Sequence, residues 1–506
     1  MYTAKKAFAL LLSGLICAQV CSCGSDAEPD ETTETDSSSD TTSEAVETEA
    51  DPESVIYTDQ LEKVDYSGET FRIYTSNSIN SWTLPTTQNY AEEITGEVVN
   101  DALYNRDRWL EKNYGVELEY TIVEGSTTEM GTTLSNIILA GDDQYDLIIE
   151  DVAECARILA TNGYMYALNE IDTINLDAYY WFPELNEELM IGDSLYFCAS
   201  PISPRYYGSV YVIMFNRDYA AELQLEDVYA LVENGTWTID KLMELSRLGY
   251  LDLDGDSIVG NTEGEKVGFM YEVLTPIGLT LGSGNHYVVN DGGELRVTLG
   301  DQNMVDLIQR IVSFFEEPAA TWCSASGVQE YVLAESGDIL FYNPCTFNLA
   351  EFRDYQYDYG ILPMPKLDAS QENYISYSQP WVIATPCVPI TIVGDRLDMV
   401  GTLTDAMCAY GYDYIRPAVF ENVIQLKGAR DEKSAEIVDT MFENITFELT
   451  DILRFGSLSS TMGEFFTTRL GQQDITSAYA AIQSSTEAAI DELTSAFEGY
   501  EADRAG

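Results

Sequence analysis

Short apolar strands alternate with one-faced helices along most of this chain, and that alternation restricts the fold more than any other feature. Residues 71–75 (FRIYT) read as a strand, 100–114 (NDALYNRDRWLEKNY) as a helix stopped by Gly115, and VELEYTIVE as the next strand. A helix near 132–139, the turn GDDQ and the apolar strand YDLIIED (145–151) follow. Strand, helix and strand with short connections is the βαβ unit, so the chain predicts an α/β fold with parallel strands. The pattern returns as GSVYVIMFN, a strand, TWTIDKLMELSRLG, a helix with Thr238 as N-cap, and KVGFM, a strand. Near the end, Ile475, Tyr479, Ile482, Ile490, Leu493 and Phe497 fall at helical spacing on one face. A body of this length has room for two lobes.

Charge narrows the function. With 25 Lys+Arg against 86 Asp+Glu the net charge is −61, which repels a polyphosphate backbone and excludes nucleic acid as a partner. A single histidine, His286, rules out a multi-histidine metal centre and argues against a histidine-based triad. The sequence has no GxxxxGK[ST], no strand-linked GxGxxG and no GxSxG. A neutral or cationic ligand remains. Cys155, Cys198, Cys323, Cys345, Cys387 and Cys408 form no CxxC or metal-ligand spacing and are expected as buried free thiols.

Residues 1–23 read as an export signal, with Lys5 and Lys6 ahead of the apolar run AFALLLSGLICAQV. The segment VCSCG resembles a bacterial lipobox, which marks Cys23 as the lipid acceptor; ordinary cleavage near Gly24 with full release is the other reading. Residues 24–57 carry acid interleaved with Ser and Thr, and form a disordered linker expected to hold the folded body off the extracellular face of the cell membrane. Lipid alone would anchor it, since no later run is long and apolar enough to span a bilayer.

From Tyr211 the chain reads YVIMFNRDYAAELQLEDVYALVENGTWTIDKLMELSR, which resembles the hallmark stretch of family-1 extracellular solute-binding proteins, the lipoprotein receptors of bacterial ABC sugar importers. YDLIIED, NGYMYALNEID, LYFCASPISPRYYG, GDILFYNPCTFNLAEFRDYQYDYGILPMPKLD and SYSQPWVIATP resemble further family segments in family order. Tyr342-Asn343-Pro344-Cys345 departs from the Gly and Trp common there, which puts a stacking residue at that place in doubt. The resemblance implies a two-lobe periplasmic-binding-protein fold of type II. It divides the chain into 58–204 plus 381–443 and 205–380 plus 444–500, with crossings near Pro204, Gln379 and Asn444. A monomer would bind carbohydrate between the lobes and pass it to the permease subunits of an ABC transporter.

Sugar recognition needs flat apolar faces for pyranose C–H groups and planar acceptors for hydroxyls. Candidate ligand contacts are Trp82, Asn77 and Asn80 in the first loop, Glu150 and Asp151 at the carboxyl edge of YDLIIED, Arg205, Tyr206 and Tyr207 past the first crossing, and Trp381 at the second. Trp109 and Trp237 read as packing residues; Trp181 and Trp322 stay open. LDLDGDSIVGNTEG has EF-hand-like spacing, with Asp252, Asp254, Asp256, the Ile258 carbonyl and Glu263 as ligands for a structural Ca²⁺, and Ser257 where a glycine is usual. The competing function is a secreted glycoside hydrolase, whose chemistry needs only two suitably spaced carboxylates.

Overall fold

The computed structural model describes residues 55–77, 87–257, 259, 263–323, 334–421 and 431–505. Strand β1 (Thr70–Ser76) buries Phe71 and Ile73 on its inner face. It lies parallel to β2 (Glu117–Val123) and to β3 (Leu147–Asp151). The helix joining β1 to β2, Val98–Tyr114, ends where Gly115 turns left-handed (φ 61°), a conformation that glycine adopts without a Cβ penalty. The helix joining β2 to β3 spans Thr127–Leu139 and starts ahead of the expected 132. Its first turn is rich in Thr and Gly, but Gly131 lets it pack closely: a Cβ there would sit 3.2 Å from the Cys155 Cα. Tertiary contact therefore outweighs weak local propensity.

A second sheet begins with β4 (Ile213–Asn216) and continues with β5 (Val267–Tyr271), β8 (Ala320–Trp322), β9 (Ile339–Tyr342) and β10 (Tyr359–Leu362), in the order β10-β4-β9-β5-β8. Strands β5, β8 and β9 are parallel, and β4 runs antiparallel to β9 and β10. Between β5 and β8 lies a hairpin of β6 (Val288–Asp291) and β7 (Glu294–Val297). Strand β4 is shorter than GSVYVIMFN suggested, because Val210 and Tyr211 pair with Ser378 and Cys345 instead of extending the sheet. Thr238 caps the helix Ile239–Leu248, accepting the Lys241 amide at 3.3 Å.

The chain then returns to the first sheet. Strand β11 (Ser376–Tyr377) pairs with β13 (Ile445–Thr446), while β12 (Ala384–Cys387) joins the edge of β3, giving the first sheet the order β12-β3-β1-β2. Three segments thus run side by side between the sheets. The Ser209 and Ser378 hydroxyls are 2.6 Å apart, the Tyr211 amide donates to the Tyr377 carbonyl, and the Ser376 and Ser378 amides donate to the carbonyls of Asn444 and Thr446. With three strands of backbone crossing together, relative motion of the two sheets is a hinge bend and not free tumbling.

The last helix, Ile475–Ala505, touches both sides. Tyr479 packs beside Gly300, just ahead of the helix Gln302–Phe315, whose Phe315 stacks on Tyr271 of β5 at 3.9 Å. At its other end Phe497 packs on Tyr196 at 4.4 Å, the Tyr500 hydroxyl donates to the Thr161 carbonyl, and Arg504 pairs with Glu170. All six described cysteines are buried free thiols. Among the described residues no helix is long and apolar enough to cross a membrane.

Candidate functional site

In open α/β sheets ligands bind outside the carboxyl ends of parallel strands. Here β5, β8 and β9 end together at Tyr271, Trp322 and Tyr342. The Trp322 ring is 41% exposed, a large apolar face left open at that edge. Glu272, the next residue after β5, accepts the Tyr211 hydroxyl at 2.6 Å. Tyr211 stacks on Tyr377 at 5.4 Å, and the Tyr377 hydroxyl donates to Asp451 at 2.6 Å. One run of ring faces and acids therefore links a residue from each of the first two crossing segments with one just beyond the third. Burial, reinforced by Glu448, pushes the Asp451 carboxyl up to about 7.

A pocket of about 150 Å³ opens beside this run, walled by Leu274, Ile277, Trp381, Asp451, Met462 and Phe466. Trp381 reaches it because the Ala153 and Val152 amides donate to the carbonyls of Pro380 and Ile383, fastening the second crossing to the end of β3. The wall is mostly apolar, with one aromatic indole and one carboxyl, a combination suited to a flat ligand with hydroxyl edges.

Other expected contacts sit elsewhere. Arg205 is wholly enclosed: its Nε donates to the Thr87 carbonyl at 2.7 Å, its Nη2 to Ser76, and its Nη1 lies 3.6 Å from Glu150. It ties the loop after β1 to the end of β3, and Glu150 is equally buried as its counter-charge. Asp151, also enclosed, accepts the Glu154 and Cys155 amides and caps the turn that follows. Burial together with the Glu150 charge raises its carboxyl to about 7. Asn77 clamps the first loop, accepting the Asn89 and Tyr90 amides and donating to the Tyr90 carbonyl. Tyr207 is core, packed on Phe442, and Tyr206 lines a different cavity. Arg205, Glu150, Asp151 and Asn77 are framework because they bond to one another's segments at the carboxyl ends of β1 and β3. Trp82, Asn80 and Cys23 lie outside the described residues.

Trp237 is buried as expected, donating to the Pro363 carbonyl, and Trp109 packs between Tyr114 and Tyr410. Trp181, left open by the sequence, is core and donates to Asp405. Glu272, Tyr211, Tyr377 and Asp451 were missed. The rule that singled out Glu150 and Asp151 applies equally to Glu272, which follows KVGFMY at the same kind of edge.

In the acidic loop one carboxylate oxygen from each of Asp252, Asp254 and Asp256 lies within 4.8 Å of the others. Asp252 accepts the amides of Gly255 at 2.6 Å and Ser257 at 2.9 Å. Ser257 takes the left-handed conformation (φ 64°) that this position of the pattern requires. Glu263 is not part of the cluster, and Ile258 lies outside the described residues. Three converging hard oxygen donors fit a calcium ion.

No family model matches the sequence, and no curated protein matches it. Solved structures do match. M. tuberculosis UspC aligns over 83% of this chain and all of its own, with a TM-score of 0.55 at 14% identity. The GacH receptor of Streptomyces glaucescens, solved free and with acarbose, covers 85% of this chain and 99% of its own, with a TM-score of 0.52 at 14% identity. UgpB from Mycobacterium tuberculosis, in complex with glycerophosphocholine, covers 84% and 98% with a TM-score of 0.52 at 12% identity. This is the two-lobe binding-protein fold. In that fold the two sheets face each other across a cleft.

Proposed function

We propose that this chain is a solute-binding protein that captures a carbohydrate in the cleft and delivers it to an ABC import permease. The observation that carries the reading is the cleft edge itself: Trp381 and exposed Trp322 offer ring faces, while Glu272 and Asp451, each already holding a tyrosine hydroxyl, offer acceptors. The likeness to GacH, solved with acarbose, supports a sugar-like ligand. The hydrolase alternative finds no support in the fold, since its structural neighbours are binding proteins. On this reading the protein works as a monomer, tethered through a lipid on Cys23 at the outer face of the membrane, and the Asp252–Asp254–Asp256 loop holds a structural Ca²⁺.

Thermal shift against a panel of malto-, xylo- and manno-oligosaccharides and acarbose tests the function. A true ligand at 100 Kd stabilises by about 2.7 kcal/mol, and Trp381→Ala removes the shift. Product analysis of the same mixtures separates capture from turnover. A panel without any shift, or with hydrolysis, overturns the proposal. Repeating the melt of the unliganded protein with a chelator lowers its midpoint if the acidic loop binds calcium, and leaves it unchanged if it does not.

A further inference from the structure

A second cavity, about 540 Å³, shares no lining residue with the cleft pocket. Its size falls within the roughly 300–1,000 Å³ of small-molecule sites. Its walls come from 179–188 and 412–416 on the first-sheet side, from 286 and 373–375 on the second-sheet side, and from 442–446 at the third crossing. Phe182 stacks on Tyr206 at 5.1 Å, and Tyr179 meets Tyr412 edge-on at 5.7 Å. Phe182 takes φ 51°, a costly conformation for a bulky residue, and this turn delivers its ring to the wall.

Two hydroxyls in this wall have no partner among the described residues. Tyr206 is 1% exposed and its hydroxyl meets no hydrogen-bonding group among the described residues. The Thr446 hydroxyl, in a residue 6% exposed, is equally unpaired. The Thr446 oxygen is sealed from the cavity, so the Tyr206 hydroxyl is the one placed to bond a ligand there. The charges on the wall are unequal. Glu184 and Glu188, one turn apart on the helix Pro183–Leu189, pair with no cation among the described residues, whereas Arg416 lies 5.5 Å over the Tyr412 ring and is shared between Asp439 and Glu443. His286 adds no positive charge, since burial pulls its imidazole down to about 4.

We propose that this cavity is a second binding site, for a small organic ammonium ion carrying an apolar face. Ring faces attract a cation through their quadrupoles, Glu184 and Glu188 supply the opposite charge, and the unpaired Tyr206 oxygen accepts an N–H group. An anion is repelled by the two glutamates, and a bare hydrocarbon leaves the Tyr206 hydroxyl unmet.

Titration calorimetry of the full mature chain with benzylammonium, and with benzyl alcohol as its uncharged counterpart, tests this. One saturable site for the ammonium is expected, with affinity falling roughly tenfold in Glu184→Gln/Glu188→Gln. Both glutamates are exposed, so the double variant folds normally. Tyr206→Phe should weaken binding without changing the melting midpoint, and Trp381→Ala should leave ammonium binding intact. Absence of saturable binding, equal affinity for the alcohol, or affinity unchanged in the glutamate variant overturns the proposal. So does ammonium binding lost in Trp381→Ala, which would place the probe in the cleft.

Discussion

Asp405 offers a sharp test of how the returning chain is welded to the first sheet. It lies on the helix Asp395–Tyr410, buried, and accepts three hydrogen bonds from a segment more than 200 residues earlier: the Trp181 Nε1 at 2.7 Å, the Tyr180 hydroxyl at 2.8 Å and the Asn175 amide at 3.1 Å. Asp405→Ala strands these donors, each worth about 1–3 kcal/mol when left unmet in the interior. Part of that is returned, because burial already disfavours the Asp405 charge and raises its carboxyl. The net loss should be about 4 kcal/mol. Asp405→Asn keeps the oxygen that serves Trp181 and Asn175, and the Tyr180 hydroxyl turns to accept, so its cost should be about 1 kcal/mol. Urea unfolding followed by tryptophan fluorescence reads both, as a lower midpoint at unchanged slope. If the alanine variant loses less than about 1 kcal/mol, the weld lies elsewhere.

Stability should fall as pH rises from 5 to 6.5. Asp151, Glu448 and Asp451 are raised to about 7 by burial, so the folded state keeps protons that the unfolded chain has released. His286, lowered to about 4, acts with the opposite sign in the same window. Two groups net at about 1.4 kcal/mol each give a decline of about 3 kcal/mol per pH unit, with Asp405 and Glu150, also raised by burial, acting in the same direction, and a rising denaturation midpoint would refute it. Gly268→Ala drives a Cβ to 2.0 Å from the Ser246 carbonyl oxygen, an unyielding backbone contact; a loss of about 3 kcal/mol or more is expected by calorimetry. Truncation after Ala496 removes the packing of Phe497 on Tyr196 and the Arg504–Glu170 pair; a folded product with about 3 kcal/mol less stability is expected in urea.

The fold was legible because short apolar strands and capped helices are local events. Gly115 and Thr238 announce their helix ends through their own backbone and side-chain chemistry. The site was less so. Arg205, Glu150 and Tyr207 have the right chemistry for a cleft, yet all three are buried by distant parts of the chain, Arg205 against Thr87, Ser76 and Glu150 and Tyr207 against Phe442, and such contacts leave no mark at residue 150 or 205. Trp381 lines the pocket because it sits at the second crossing. Tyr377 and Asp451 give no sign in the sequence, since only the pairing of β11 with β13 brings them near Tyr211 and Glu272.

The terminal helix has a mechanical consequence. Thirty-one residues make a rod of about 45 Å, footed on the Gly300 side at one end and against Tyr196 and Thr161 at the other. A stiff strut pinned at two points on opposite sides of a pivot cannot keep both footings when the jaws swing. The far footing, which rests on little more than Phe497, Tyr500 and Arg504, must slide first, so the extreme carboxyl terminus is where opening and shutting would be read most directly.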